Sequence, residues 1–271
     1  MQRCLVILSQ QDQAEVLLNM AAQFLARVNG NRMDVLAARE PPTQVLGNMG
    51  LTDESAAVLR ENQREWADSL HAIFHRWLAE EYGSGAERLN KVEVNWLDPE
   101  ITVDRIISGY GKDADLLIMS FPDSRDSDQK KLATRSAIFQ TGRPVLFVPP
   151  FWDRPSGDHI LMAWKDTDGC RKAFASARVL LAQAKQVDVL QTPDSPMPMD
   201  ILPGITPERV ELKPSDDASK AAQSILDEVD ARRADLLVIG GYQHNMLYNR
   251  LMGSATDYIL AHPDVPVFLQ H

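Results

Sequence analysis

Leu236-Leu237-Val238-Ile239 is an apolar run that stops on Gly240 and Gly241, and Gly253-Ser254 follows just before a helical pattern opening near Ala255. That spacing serves one kind of chemistry. Glycines let an anion approach the main chain, while the first amides of a helix and a serine hydroxyl supply donors to it. The ligand implied is a phosphate. Without a ligand, Gly253-Ser254 is simply a flexible lead-in and an N-cap, because serine there accepts a hydrogen bond from the helix's own amides. Both readings stay open on the residues alone. Lys165 follows another apolar run, Ile160 to Trp164, and either pairs with a phosphate or is a solvated loop lysine. Tyr242 and His244 either line a cleft or pack the loop.

No other constellation reads as catalytic. The chain has no Gly-x-Ser-x-Gly elbow, no Gly-x4-Gly-Lys-Ser/Thr loop and no Glu-x-x-His pattern, so no catalytic residue and no enzyme class is assigned. His71 and His75 have the one-turn spacing of metal ligands on a helix, but no Glu or Cys accompanies them. A solvated helix face is the expectation there, and no metal site is assigned. The two cysteines, Cys4 and Cys170, have no paired spacing and are expected to be buried thiols rather than a disulfide or a zinc site.

Positioning these residues requires an alternation of strands and helices. Cys4 to Leu8 reads as a buried strand, and Leu17, Met20, Ala21, Phe24, Leu25 and Val28 then recur at helical spacing until Asn29-Gly30-Asn31 stops them. Met33 to Ala37 is a second strand. A long helix starts near Asp53 and carries Trp66, Leu70, Ile73, Phe74, Trp77 and Leu78 on one face up to Gly83. Leu89 to Leu97 alternates as a strand, a helix runs through Val103, Ile106 and Ile107, and Asp115 to Ser120 is a fourth strand. A short helix through Ile138 and Phe139 leads to the strand Val145 to Val148. Strand-helix alternation of this kind calls for a parallel sheet covered on both faces.

The segment from Pro149 to Gly157 is rich in helix and strand breakers, and the pattern then starts again at Ile160. Ala114-Asp115-Leu116-Leu117-Ile118 recurs as Ala234-Asp235-Leu236-Leu237-Val238, and Pro144-Val145-Leu146-Phe147 as Pro266-Val267-Phe268-Leu269, at nearly equal offsets. The expectation is therefore α/β, with two tandem Rossmann-like domains of five parallel strands each, 1–150 and 157–271, helices covering both faces. The second copy has a proline-rich stretch from Thr192 to Pro207 in place of the long helix. The first copy has no glycine loop: Ser120-Phe121-Pro122-Asp123 follows its fourth strand, and alignment on Pro144 and Pro266 sets Lys131-Leu132 opposite Gly253-Ser254. A phosphate site is expected in the second copy alone.

A formal net charge of −10 over 271 residues disfavours a nucleic-acid partner, whose phosphates are held by clustered Lys and Arg. Hydrophobic content of 44% is enough for a large core, yet no apolar stretch reaches the length of a membrane span. The first residues lack a signal-peptide pattern, so a soluble cytoplasmic protein is the expectation.

With these residues in view, the chain resembles the universal stress protein family, in particular its tandem members, whose fold is adenine nucleotide alpha hydrolase-like. Nucleotide-binding members carry Gly-x2-Gly-x9-Gly-Ser/Thr after the fourth strand, and this chain reads Gly240-x2-Gln243-x9-Gly253-Ser254. Gly142-Arg143-Pro144-Val145-Leu146-Phe147-Val148-Pro149 and Ala163-Trp164 extend the likeness. The resemblance implies a stress-response protein holding ATP, with Mg, or ADP or AMP, through Gly240, Gly241, Gln243, Gly253, Ser254, Ala163 and Lys165. Gln243 departs from the family's glycine, and no Asp ends the first strand of the second copy, so the loop is a degenerate one. The alternatives are a nucleotide-independent interaction protein working through the long helix 53–82, and a slow ATP hydrolase. Family strands like Val145–Val148 and Val265–Leu269 pair across a dimer, which one chain could imitate as a pseudo-dimer, with further homodimerisation left open.

Overall fold

Strands that are apolar at every position must be covered on both faces, and this requirement organises the protein. The computed structural model describes residues 1–38, 53–84, 87–99, 103–198, 200–241 and 254–271. The chain divides into two compact units, Met1–Thr141 and Gly142–His271.

The first unit contains β1 (Arg3–Leu8), α1 (Ala14–Val28), β2 (Arg32–Ala37), α2 (Asp53–Gly83), a 3-10 turn at Glu87–Leu89, β3 (Glu93–Leu97), α3 (Val103–Asp113), β4 (Leu116–Ser120) and α4 (Asp128–Gln140). Its strand order is β3-β2-β1-β4, every neighbouring pair parallel. Residues 4–8 of β1 and all of β4 are buried. Helix α1 packs with α2, and α3 packs with α4. In α1 the expected stripe is the buried face, and Asn29 ends the helix in the left-handed conformation at φ 52°. On α2, Leu70, Phe74 and Trp77 are buried.

The second unit contains β5 (Val145–Val148), β6 (His159–Ala163), α5 (Asp168–Leu181), β7 (Gln186–Gln191), β8 (Glu208–Glu211), α6 (Ala218–Arg232), β9 (Leu236–Gly240), α7 (Ala255–Leu260) and β10 (Val267–Gln270). Its order is β5-β10-β9-β6-β7-β8. All pairs are parallel except β5 with β10, which run antiparallel with Phe268 opposite Leu146. The protein is thus α/β with a mostly parallel arrangement of strands. Between β7 and β8 the described residues hold a Thr192–Ser195 bridge and no helix.

Several sequence expectations are corrected. The third strand begins at Glu93 rather than Leu89, because Glu87 to Leu89 turn as a 3-10 helix and Lys91 takes a left-handed φ of 67°. Helix α4 begins at Asp128, capped by Ser127, whose side chain accepts from the Lys130 amide at 3.2 Å. The structural counterpart of Ser254 is therefore Ser127 and not Leu132.

The repeated Ala-Asp-Leu-Leu carries a defined contact in each unit. Asp115 accepts from the amides of Gln2 at 2.7 Å and Arg3 at 3.1 Å, and its own amide donates to the Arg3 carbonyl. Asp235 accepts from the amides of Gly157, Asp158 and His159, and its own amide donates to the His159 carbonyl. A carboxylate before β4 and another before β9 thus clamp the entry to β1 and to β6.

A second parallel lies on the neighbouring strands. Asp34 on β2 accepts from Arg32 and Asn95. Asp188 on β7, fully buried, accepts from His159 at 2.8 Å, Gln186 at 3.1 Å and Arg232 at 3.1 Å. Burial alone would raise the Asp188 carboxyl, but the three donors outweigh it and hold it below the ordinary carboxylate value.

Candidate functional site

Of the candidate residues, Ala163, Gly240 and Gly241 lie at the carboxyl ends of β6 and β9, where parallel sheets present ligands. Gly240 is the last residue of β9, and the Gly241 amide donates to the Gln270 carbonyl at 2.8 Å. The first turn of α5 lies directly against Gly240. A Cβ added there would come 2.7 Å from both the Cys170 Cα and the Gly169 carbonyl carbon. A Cβ on Gly169 would in turn meet the Gly241 carbonyl oxygen at 2.9 Å, and one on Gly241 would meet Leu269 Cδ2 at 3.0 Å. Gly240 and Gly169 are where helix backbone meets strand backbone, while Gly241 leaves room for the Leu269 side chain, packing roles that account for them without any ligand. Gly169 escaped the sequence reading. Its one signal is a glycine in a helical first turn, just before the buried Cys170.

Ser254 is the N-cap of α7. Its hydroxyl accepts from the Asp257 amide at 3.1 Å and donates to Asp257 Oδ2 at 2.9 Å, and its own amide donates to the same carboxylate at 3.2 Å. This capping box satisfies the helix's orphan donors and sets a negative charge at the positive end of its dipole. Gln243 and Gly253 lie outside the described residues, as do Tyr242 and His244.

On the β6 side, Ala163 ends the strand between Leu190 and Ile239, and its carbonyl lies 3.6 Å from the Cys170 thiol. Trp164 is buried beside Phe174, with the Arg171 guanidinium 5.5 Å from its ring centre. Its indole N–H is buried and has no hydrogen-bond partner among the described residues. Lys165 is exposed, and its carbonyl accepts from the Thr167 amide at 2.7 Å. Thr167 caps α5 by accepting from the Cys170 amide, while Asp166 pairs with Arg171 at 2.6 Å. The structure therefore brings Ala163, Gly240 and Gly241 to one strand edge, with Lys165 just beyond β6 and Ser254 engaged by its own helix.

The matching edge of the first unit is built differently, around a cavity of about 150 Å³ lined by Ser9, Ala38, Trp66, Ser127 and Lys130. Lys130 and Asp126 are both buried and form an ion pair at 2.9 Å. The Lys130 ammonium also donates to the Phe121 carbonyl, just past β4, at 3.1 Å and to Gln10, just past β1, at 3.2 Å. Asp126 accepts in addition from the Asp123 amide at 2.7 Å. A buried cation with three acceptors, one of them a charge, is self-neutralised and spans the space between the two strand ends. Sequence inspection missed this pair because Asp126 lies in the polar stretch from Pro122 to Gln129 and Lys130 reads as one more polar residue after it.

Residues 217–271 match the universal stress protein family model. That stretch runs from the cap of α6 through β9 and α7 to β10, so it includes Gly240, Gly241 and Ser254. Comparison with curated proteins gives no match. Among solved structures, a universal stress protein from Archaeoglobus fulgidus DSM 4304 superposes with a TM-score of 0.67 at 13% identity, over 99% of this chain and 95% of that one. A protein of unknown function from Pseudomonas aeruginosa PAO1 gives 0.57 at 17% identity, over 99% and 92%. At such identities the likeness is one of fold. No helix among the described residues is long and apolar enough to cross a membrane.

Proposed function

We propose that the whole chain is a tandem universal stress protein acting in the cytoplasmic stress response, each half built on one α/β domain, and that its second half alone binds an adenine nucleotide. Two features support the tandem reading: the paired Asp115 and Asp235 clamps, and a match to the archaeal chain over nearly its full length. The antiparallel pairing of β5 with β10 is the contact that the family's dimers would make between chains, and here one chain supplies both strands.

The asymmetry between the two strand edges carries the nucleotide reading. The first edge carries the buried Lys130–Asp126 pair, which sets a fixed cation beside a cavity of about 150 Å³ lined by Ser9, Ala38, Trp66 and Ser127. At the second, the described residues offer an exposed Lys165 and the unpartnered Trp164 indole N–H, and no buried ion pair bridges β6 to β9. On this reading Ala163 and Lys165 frame the base and ribose side. Gly240, Gly241, Gln243, Gly253 and Ser254 frame the phosphates, and Mg accompanies ATP.

A second reading, a nucleotide-independent interaction protein, is favoured by the Ser254–Asp257 box, which sets a carboxylate where a phosphate would otherwise accept donors. Thermal melting with and without Mg-ATP, ADP and AMP separates the two. A ligand at a hundred times its Kd adds about 2.7 kcal/mol to the folded state, and Gly253→Asp should abolish the shift. No shift in the wild type, with no nucleotide released on denaturation, would leave the second reading standing.

A further inference from the structure

Two imidazoles on α2 take no part in the nucleotide reading. His71 and His75 face each other with their Nε2 atoms 2.9 Å apart and their rings edge to face, centroids 4.3 Å apart. The expectation of a merely solvated face does not describe His71. It is half-buried, with Trp96 of β3 packed 4.9 Å from its ring centre and Phe74 stacked at 6.4 Å. One imidazole is thus fixed by aromatic neighbours and the other, on exposed His75, reaches solution.

Nitrogens 2.9 Å apart are at hydrogen-bond distance, one ring donating and the other accepting. A divalent ion reached by both lone pairs would take the place of that shared proton. Two protein nitrogens completed by water suit the tetragonal and octahedral positions of Cu(II) and Ni(II), whereas Zn(II) sites draw three or four ligands from the protein.

We propose that His71 and His75 form a two-imidazole chelate for Cu(II) or Ni(II), with water in the remaining positions. No group of three or more His, Cys, Asp or Glu side chains that could hold a metal occurs among the described residues, so the site is a shallow, two-point one. Binding uses the lone pair on each Nε2. The ring that donates in the present hydrogen bond carries its proton on Nδ1 instead, and no charge is buried. Trp96 holds the His71 plane before metal arrives, which lowers the ordering cost of the chelate.

The test uses the full chain titrated with CuCl2, NiCl2 and ZnCl2. The expected results are one Cu(II) bound with imidazole nitrogen couplings in its paramagnetic resonance spectrum, Ni(II) binding at least as tight as Zn(II), and at least about tenfold weaker binding in His75→Gln. His75 is exposed, so the metal-free variant should melt with the wild type. A second measurement needs no variant: Ni(II) should broaden the imidazole NMR signals of two of the six histidines. Equal affinity in His75→Gln, Zn(II) bound more tightly than Ni(II), or broadening of a different set of histidines would each overturn the proposal.

Discussion

Gly240, at the end of β9, touches Cys170 in the first turn of α5 so closely that a methyl group on it would lie 2.7 Å from the Cys170 Cα. Because the crowding atoms are backbone, neither element can yield without moving a whole helix. Gly240→Ala should destabilise the second unit by about 1–3 kcal/mol, as overpacking of a tight core does. Calorimetric melting checks it. A wild-type melting temperature would show that α5 slides freely on β9.

The two aspartate clamps tie one backbone segment to another. Asp235 accepts from the amides of Gly157, Asp158 and His159, and Asp115 from those of Gln2 and Arg3. Asp235→Ala and Asp115→Ala, which remove the shared acceptor, should each cost about 1–3 kcal/mol. Asn at either position should fall between wild type and Ala, because one carbonyl acceptor remains. Urea midpoints of the four variants give the ranking.

Removing one member of the buried Lys130–Asp126 pair strands the other. Lys130→Met should destabilise the first unit by about 3–5 kcal/mol, whereas Lys130→Met with Asp126→Leu should recover most of that loss. Recovery would be incomplete, since Asp126 also accepts from the Asp123 amide. A double variant no more stable than the single would mean that the pair does more than neutralise itself.

Asp188 predicts a direction in pH. Its carboxyl is held below the ordinary value in the folded protein, so its contribution to stability is complete above the unfolded value of about 4 and is lost as the pH falls through the lower, folded value. Asp188→Asn should therefore flatten the acid limb of the stability curve while lowering stability at neutral pH. Denaturant titrations from pH 3 to pH 7 in the two proteins show whether the curves converge at the acid end.

The elements were largely legible because their cores are written in period. The buried face of α1 and the unbroken apolar runs of β1, β4 and β9 read directly from residue type. The candidate site was less legible, for physical reasons. Gly240 and Gly241 were read for the anion they would admit, but what a glycine excludes is set by its spatial neighbour, here Cys170 and Leu269, which sequence does not reveal. Ser254 signalled a cap and a phosphate donor alike, and its pairing with the Asp257 carboxylate three residues on was not read from the sequence. Lys130 gave no signal, since its partners Gln10 and Phe121 come from loops after two different strands.

The pairing of β5 with β10 also bears on how the protein folds. Leu146 and Phe268 stand about 120 residues apart in sequence, a separation that makes ring closure slow relative to local hairpins. During synthesis the β10 side of β5 stays open until residues 267–270 leave the ribosome, and the apolar Val145 to Val148 is a ready template for a foreign strand throughout. Loss of β10 would expose β5 and β9 together, turning one missing strand into two adhesive edges.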